Sequence, residues 1–358
     1  MTYKRFIIMT IFIPLFILLQ LCHWMGFFLD ELLFRKYRLV KIKKPLFIIG
    51  IPRSGTTYLH RTLAKDVQNW ATFTLRELIL TPSITERKIW QIMTKILYYP
   101  SRPFVRVIGW IKQKLSSSLN DVHPSSLREP EEDFMTLLPV LSCFLLVHPF
   151  PFPELWRLAY FDEKISNSDK KRIMVFYKSC LQRHLYFHGV DKRIISKNAS
   201  FCSAIRTLNA TFPDHQLIVT VRNPLQSISS FLSTMSKGAQ LFDNHFHDDQ
   251  LQEMTLDVLR YYHQYLFATV SEWHQSRYLI IKMEDLTGEI GNSVKNIYNH
   301  FHIPLGSSFS QYIKQSAAVA RNYQSKHHYS LSEFGLTEED IIRDFSDIFT
   351  RFGYETKY

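Results

Sequence analysis

A chain of 358 residues, 46% apolar and 15% aromatic, excludes extended disorder and has length for one large α/β domain or two average ones. The 43 Lys and Arg against 32 Asp and Glu leave a formal charge of +11, which points to an anionic ligand, an anionic membrane surface or nucleic acid. No nucleic-acid motif, zinc-type C-x-x-C pair or internal repeat occurs, and the scattered Cys22, Cys143, Cys180 and Cys202 are expected to be free buried thiols rather than a disulfide framework.

The first predicted element is "FIIMTIFIPLFILLQLCHWMGFFL", Phe6 to Leu29, which carries no Asp, Glu, Lys or Arg and is long enough to cross a bilayer as a helix. Pro14, Gln20 and His23 interrupt its apolarity, so a helix lying in the interface is the competing reading. No small-residue cleavage site follows, which argues for an uncleaved segment. Arg35, Lys36, Arg38, Lys41, Lys43 and Lys44 follow the segment and outnumber Lys4 and Arg5 before it, so the positive-inside bias places the remainder of the chain in the cytoplasm. We expect residues 1–44 to be a membrane segment with a basic linker and residues 45–358 to be one catalytic domain.

"PLFIIG", Pro45 to Gly50, reads as a buried parallel strand, and "TTYLHRTLAKD" after it as a helix with Leu59 and Leu63 on one side. From Ile84 to Lys114 the pattern is basic and helical, with Ile89, Ile92, Met93 and Ile96 forming a stripe expected to serve the core. "DVHPSSLREPEEDF", Asp121 to Phe134, is a polar loop, and the apolar run from Phe134, broken by Pro139, reads as a core helix or the wall of an apolar pocket. "RIISK", "QLIVTV" and "YLIIKMED" are further strands separated by amphipathic helices. This alternation predicts a central parallel sheet covered by helices on both faces.

Two motifs carry chemistry. The loop Gly50 to Thr57, "GIPRSGTT", keeps the glycine spacing of a phosphate-binding loop but has Thr56 where nucleoside-triphosphate enzymes place a lysine. A strand–loop–helix junction can wrap a phosphate in backbone N–H groups. Without the lysine it suits a smaller anionic load held by Arg53 and the hydroxyls. The second motif, "VRNPLQSISSF", sets Arg222 at a strand end and Ser230 eight residues later, with Pro224 opening a helix.

In this order the two motifs resemble the sulfotransferases that use 3′-phosphoadenosine 5′-phosphosulfate (PAPS), and most closely the broad bacterial-type family. The first is similar to their 5′-phosphosulfate loop, the second to their R-D-P…S motif for the 3′-phosphate, with Asn223 in place of the aspartate. "FPDHQLIVTVRNP", "IIKMEDL" and "HYSLSEFGLTEEDI" are similar to further segments of that family. The resemblance implies a P-loop-like α/β sulfotransferase fold, PAPS as donor and no metal. It also implies Arg53, Ser54, Gly55, Thr56 and Thr57 on the 5′-phosphosulfate, with Arg222 and Ser230 on the 3′-phosphate. Lys197 falls on the lysine of the family's K-S-P-x-H segment and is expected to stabilise the leaving oxygen. Asn198, Ala199 and Phe201 depart from that segment, so the role of its histidine does not carry over.

In-line transfer needs a base near the acceptor. Candidates are His123, Glu129, Glu131, Glu132 and Glu77, and the family's acidic P-E-E-D stretch raises Glu131 and Glu132. "HFHDD", His245 to Asp249, is expected to be a solvated loop rather than a metal site, and "KHH", Lys326 to His328, a basic flap over the nucleotide. The expected partners are PAPS, the membrane and a lipidic or carbohydrate acceptor with a hydroxyl or amine, and no nucleic acid. The alternatives are a P-loop-type kinase, which the missing lysine disfavours, and a non-catalytic protein binding anionic lipid, which leaves Arg222 and Ser230 without a purpose.

Overall fold

The apolar run Leu46–Gly50 forms strand β1, and all five of its residues are buried. A strand buried on both faces needs neighbours on both edges and helices above and below. It has them in the computed structural model, which describes residues 2–97, 127–244, 248–320 and 331–355. With β2 (Trp70–Ala71), β3 (Arg193–Lys197), β4 (Gln216–Val221) and β5 (Tyr278–Lys282), β1 forms one sheet in the order β2-β3-β1-β4-β5, every pair parallel. Alternation along β1 divides the core: Phe47 and Ile49 enter one apolar cluster, Leu46 and Ile48 the other.

The order has a reversal at β1, because the chain leaves β1 toward β2 and leaves β4 toward β5 on the other side. In such sheets a crevice opens beyond the carboxyl ends of the strands at the reversal. Register sets its walls, with Ile48 beside Lys197 and Gly50 beside Thr220. Gly50 is required there by close approach: a Cβ would lie 2.0 Å from Thr220 Oγ1 and 2.7 Å from the Thr220 carbonyl.

Helix α1, Tyr3–Leu33, is docked lengthwise on this domain. At its start Arg5 donates to the carbonyls of Phe242 (2.9 Å) and Pro149 (2.8 Å). Midway, His23 Nδ1 lies 2.7 Å from Glu86 Oε1, and the Trp24 indole donates to the Pro139 carbonyl (3.1 Å). Toward its end Asp30, fully buried, accepts from the backbone of Ile84 (2.9 Å) and Thr85 (2.8 Å) and pairs with Arg183 Nε (3.0 Å). Asp30 thereby caps helix α4, Ile84–Leu97, from a distant part of the chain. Gly26 makes the approach possible, since a Cβ there would meet Ser83 Oγ at 2.4 Å.

Two sequence expectations are corrected. The stripe on α4 does not serve the core: Ile89, Ile92 and Met93 are 50%, 57% and 50% exposed, because α4 uses its first turn to pack and turns the rest outward. Cys143, Cys180 and Cys202 are free and buried, as expected, but Cys22 faces outward from α1.

The apolar run from Phe134 forms two short 3-10 stretches, Asp133–Val140 and Phe144–Val147, and buries Phe134, Met135 and Leu137 in the core.

Candidate active site

The β1 turn runs from Gly50 into helix α2, Thr56–Leu63. Two residues of the turn take left-handed backbone, Gly55 at φ 87° and Arg53 at φ 69°. Glycine adopts this freely, whereas an arginine there is unusual. A Cβ on Gly55 would also press on Met283 Sδ at 2.2 Å. Ser54 points inward and shares a 2.6 Å hydrogen bond with Thr220 Oγ1, tying the loop to β4.

Arg53 reaches the second motif directly. Its Nε donates to Ser230 Oγ (2.9 Å), and its carbonyl accepts from Arg222 Nη1 (3.2 Å). Arg222 leaves the end of β4 and also donates to the Gln226 side chain (3.1 Å). Asn223 caps the following helix, Pro224–Leu241, by accepting from Leu225 N (3.0 Å), which keeps the cap that an aspartate would supply. Burial, and then Arg53 nearby, push the Arg222 guanidinium below its ordinary pKa. Among the described residues neither arginine forms an ion pair. Two cations drawn together with neutral partners make a site for an anion.

Lys197, the last residue of β3, is 1% exposed. Its ammonium lies 2.9 Å from Glu132 Oε1 and 3.1 Å from Glu131 Oε1, and donates to Thr57 Oγ1 (3.0 Å). Burial opposes its charge, but Glu132 and Glu131 outweigh burial and hold its pKa above the ordinary lysine value. Glu131 is likewise raised by burial but lowered more by Lys197 and Arg61, leaving it below the usual carboxylate range. The carboxylates are placed by backbone bonds to the segment before α3, Leu75–Ile79: Glu131 N donates to the Phe73 carbonyl (3.1 Å) and Leu75 N to the Glu129 carbonyl (3.1 Å).

The other candidates separate on geometry. Glu77 is 1% exposed and committed to structure: it closes a capping box with Thr74 and bonds His188 Nε2 (2.6 Å). Glu129 sits at the edge, 3.9 Å from Arg61. His123, the first three residues of "HFHDD" and the "KHH" segment lie outside the described residues. Glu77, His184 and His188 are grouped closely enough for a metal ion, but Arg87 is buried beside Glu77 and already balances its charge.

Sequence reasoning missed the support beneath the carboxylates. Asp133 is buried and accepts from Tyr177 OH (2.7 Å) and Ser196 Oγ (2.9 Å), fixing the chain next to Glu132. The available signal was an acidic residue opening an apolar run, which asks for a buried partner. Burial pushes the Asp133 carboxyl up to about 7, against the two hydrogen bonds. Because this pKa is raised on folding, stability is greatest below the unfolded value near 3.8 and is lost as pH rises through the folded one. Wild type should therefore lose stability relative to Asp133→Asn between about pH 4 and pH 7, as read by urea unfolding across that range. A difference that does not change with pH would show Asp133 to be ionised in the fold.

Asn198, next to Lys197, is fully buried, and neither polar atom of its side chain has a hydrogen-bond partner among the described residues. Phe201 packs into the core at 5.3 Å from Tyr177, edge to face, so the position where the family has its histidine is filled by an apolar ring.

Comparison with known proteins agrees with this architecture. Residues 45–307 match the model of the sulfotransferase family. Omega-hydroxy-beta-dihydromenaquinone-9 sulfotransferase Stf3 from Mycobacterium bovis and from Mycobacterium tuberculosis is 24% identical over 328 residues, 87% of this chain and 75% of the relative. The crystal structure of sulfotransferase STF9 from Mycobacterium avium superposes with a TM-score of 0.69 at 18% identity, covering 92% of this chain and 82% of its own. That of STF1 from Mycobacterium tuberculosis H37Rv gives 0.60 at 20% identity, covering 87% and 79%. The structural likenesses establish the fold. The family match spans the loop, the carboxylate segment, Lys197 and the arginine–serine motif alike, and this chain belongs to the sulfotransferase family.

Proposed function

We propose that the protein transfers the sulfuryl group of PAPS to a hydroxyl (or amine) of an amphiphilic acceptor and releases adenosine 3′,5′-bisphosphate. The observation that carries this reading is the junction of Arg53, Arg222 and Ser230 at the crevice, two guanidiniums that form no ion pair among the described residues. In this reading Arg222 and Ser230 take the 3′-phosphate. Ser54, Gly55, Thr56 and Thr57 surround the 5′-phosphosulfate, and Arg53 stands between the two subsites.

The acceptor oxygen attacks sulfur as the bond from sulfur to the bridging oxygen breaks, and the acceptor proton passes to a carboxylate. Glu132 suits that role, because Glu131 is also engaged by Arg61 and by the backbone of Glu132. The Lys197 ammonium meets the negative charge developing on the leaving 5′-phosphate. The sulfuryl group carries less charge than a γ-phosphoryl group, so these cations suffice without a divalent metal.

The acceptor class is supported by the relative named for an omega-hydroxylated dihydromenaquinone and by the exposed apolar face of α1. A hydrophobic molecule ending in a hydroxyl fits both. We further propose a catalytic domain of residues 45–358, held at the cytoplasmic face of a membrane by residues 1–44. The exposed basic side chains after α1 favour that side, and Asn198, which opens the glycosylation sequon N-A-S, is buried where no glycan could be carried.

Binding of adenosine 3′,5′-bisphosphate tests the donor site. Arg53→Ala and Arg222→Ala should each weaken it by about 1.5–3 kcal/mol through loss of charge-assisted hydrogen bonds. Calorimetry showing unchanged affinity in both variants would reject the assignment.

A further inference from the structure

The buried polar side chains of α1 face the protein, and a stripe of its apolar side chains faces out. Arg5, His23 and Asp30 all bond to the domain, and Gln20 is turned toward it, with Oε1 buried. Ile11, Leu15, Leu18, Leu21, Met25 and Phe28 form the opposite stripe, each 58–62% exposed. A helix facing water has the reverse arrangement, and a helix facing lipid has this one. The neighbouring α4 adds Ile89, Ile92 and Met93 as exposed apolar side chains.

The anchoring decides how such a helix meets lipid. Arg5 and Asp30 are 25 residues apart, about 38 Å along a helix, which exceeds the ~30 Å hydrocarbon core. Both are bonded to one domain, Arg5 to Pro149 and Phe242, Asp30 to Arg183 and α4. Were α1 to cross the bilayer, parts of a single folded body would lie on opposite sides of it.

Charge complements the apolar stripe. Arg35, Lys36, Lys41 and Lys43 are exposed directly after α1, and the only acidic residues before them, Asp30 and Glu31, are paired with Arg183. Basic residues at a membrane surface favour an anionic leaflet.

We infer that α1 lies in the plane of the membrane, its outer stripe in the acyl boundary of one anionic leaflet and both of its ends on the side of the catalytic domain. This rests on the membrane-attached reading above and fixes its geometry.

The test is flotation of the full chain with phosphatidylglycerol-containing phosphatidylcholine vesicles. Wild type should float, and Leu18→Glu/Leu21→Glu should lower the bound fraction at least tenfold with an unchanged melting midpoint. Lys41→Glu/Lys43→Glu, outside the helix, should lose most binding to the anionic vesicles but not to pure phosphatidylcholine. In a Cys22→Ser background, Tyr3→Cys on vesicle-bound protein should react with an impermeant maleimide without detergent. Labelling only after detergent would mean that α1 spans, and would overturn the in-plane geometry. Undiminished binding of both double variants would overturn the lipid-contact surface. Wild type remaining unbound would refute membrane attachment itself, leaving the sulfotransferase reading intact.

Discussion

Lys197→Ala should lower kcat by about 10²–10³ while changing the affinity for adenosine 3′,5′-bisphosphate much less. Lys197 ends the strand beside β1, bonded to Thr57 of α2, and its ammonium is charged despite nearly complete burial because Glu132 and Glu131 flank it. A cation already fixed in place costs no reorganisation when negative charge appears on the departing phosphate. Its removal also leaves two carboxylates facing each other without a counter-ion. One of them is then drawn toward its protonated form, which in the proposed mechanism removes the base. On that proposal the effect belongs to the chemical step. Single-turnover rates and equilibrium binding of the product nucleotide separate the two contributions. Equal losses in both would make Lys197 an ordinary binding residue.

Asp30→Ala should destabilise the fold by about 3–5 kcal/mol, the scale for removing one partner of a buried ion pair. Arg183 is 4% exposed on its side chain and, among the described residues, would keep Glu31, at 3.0 Å, as its carboxylate partner. The N–H groups of Ile84 and Thr85 would lose their acceptor, and the start of α4 would keep only the Ser83–Glu86 capping bonds among the described residues. Chemical denaturation measures the loss. A change below about 1 kcal/mol, the size expected at an exposed position, would mean that α1 is a detachable appendage.

The strands were readable because each is a short apolar run bounded by turn residues. Pro45–Gly50, Arg193–Lys197, Gln216–Val221 and Tyr278–Asp285 contain β1, β3, β4 and β5. Two-residue β2 has no periodicity to read and exists through its pairing with β3. The two motifs were legible because their spacing is local to single strand–loop–helix junctions. The meeting of Arg53 with Ser230 is not, since 177 residues separate them. The family's P-E-E-D stretch raised Glu131 and Glu132 above Glu77, but composition treats the three alike. Burial against His188 or against Lys197 is what distinguishes them physically. The residues that weakened the N-terminal segment as a span, Gln20 and His23, have their reason in the docked face, which no window of hydropathy resolves.

The docking of α1 also orders events during synthesis. Arg183, the partner of Asp30, follows it by 153 residues. At ribosomal rates of 5–20 residues per second, that is roughly 8–30 s in which the helix has emerged and its dock has not. During that interval the newborn chain displays an unshielded greasy segment, which the translating cell must sequester or deliver to a bilayer before the enzyme can close over it.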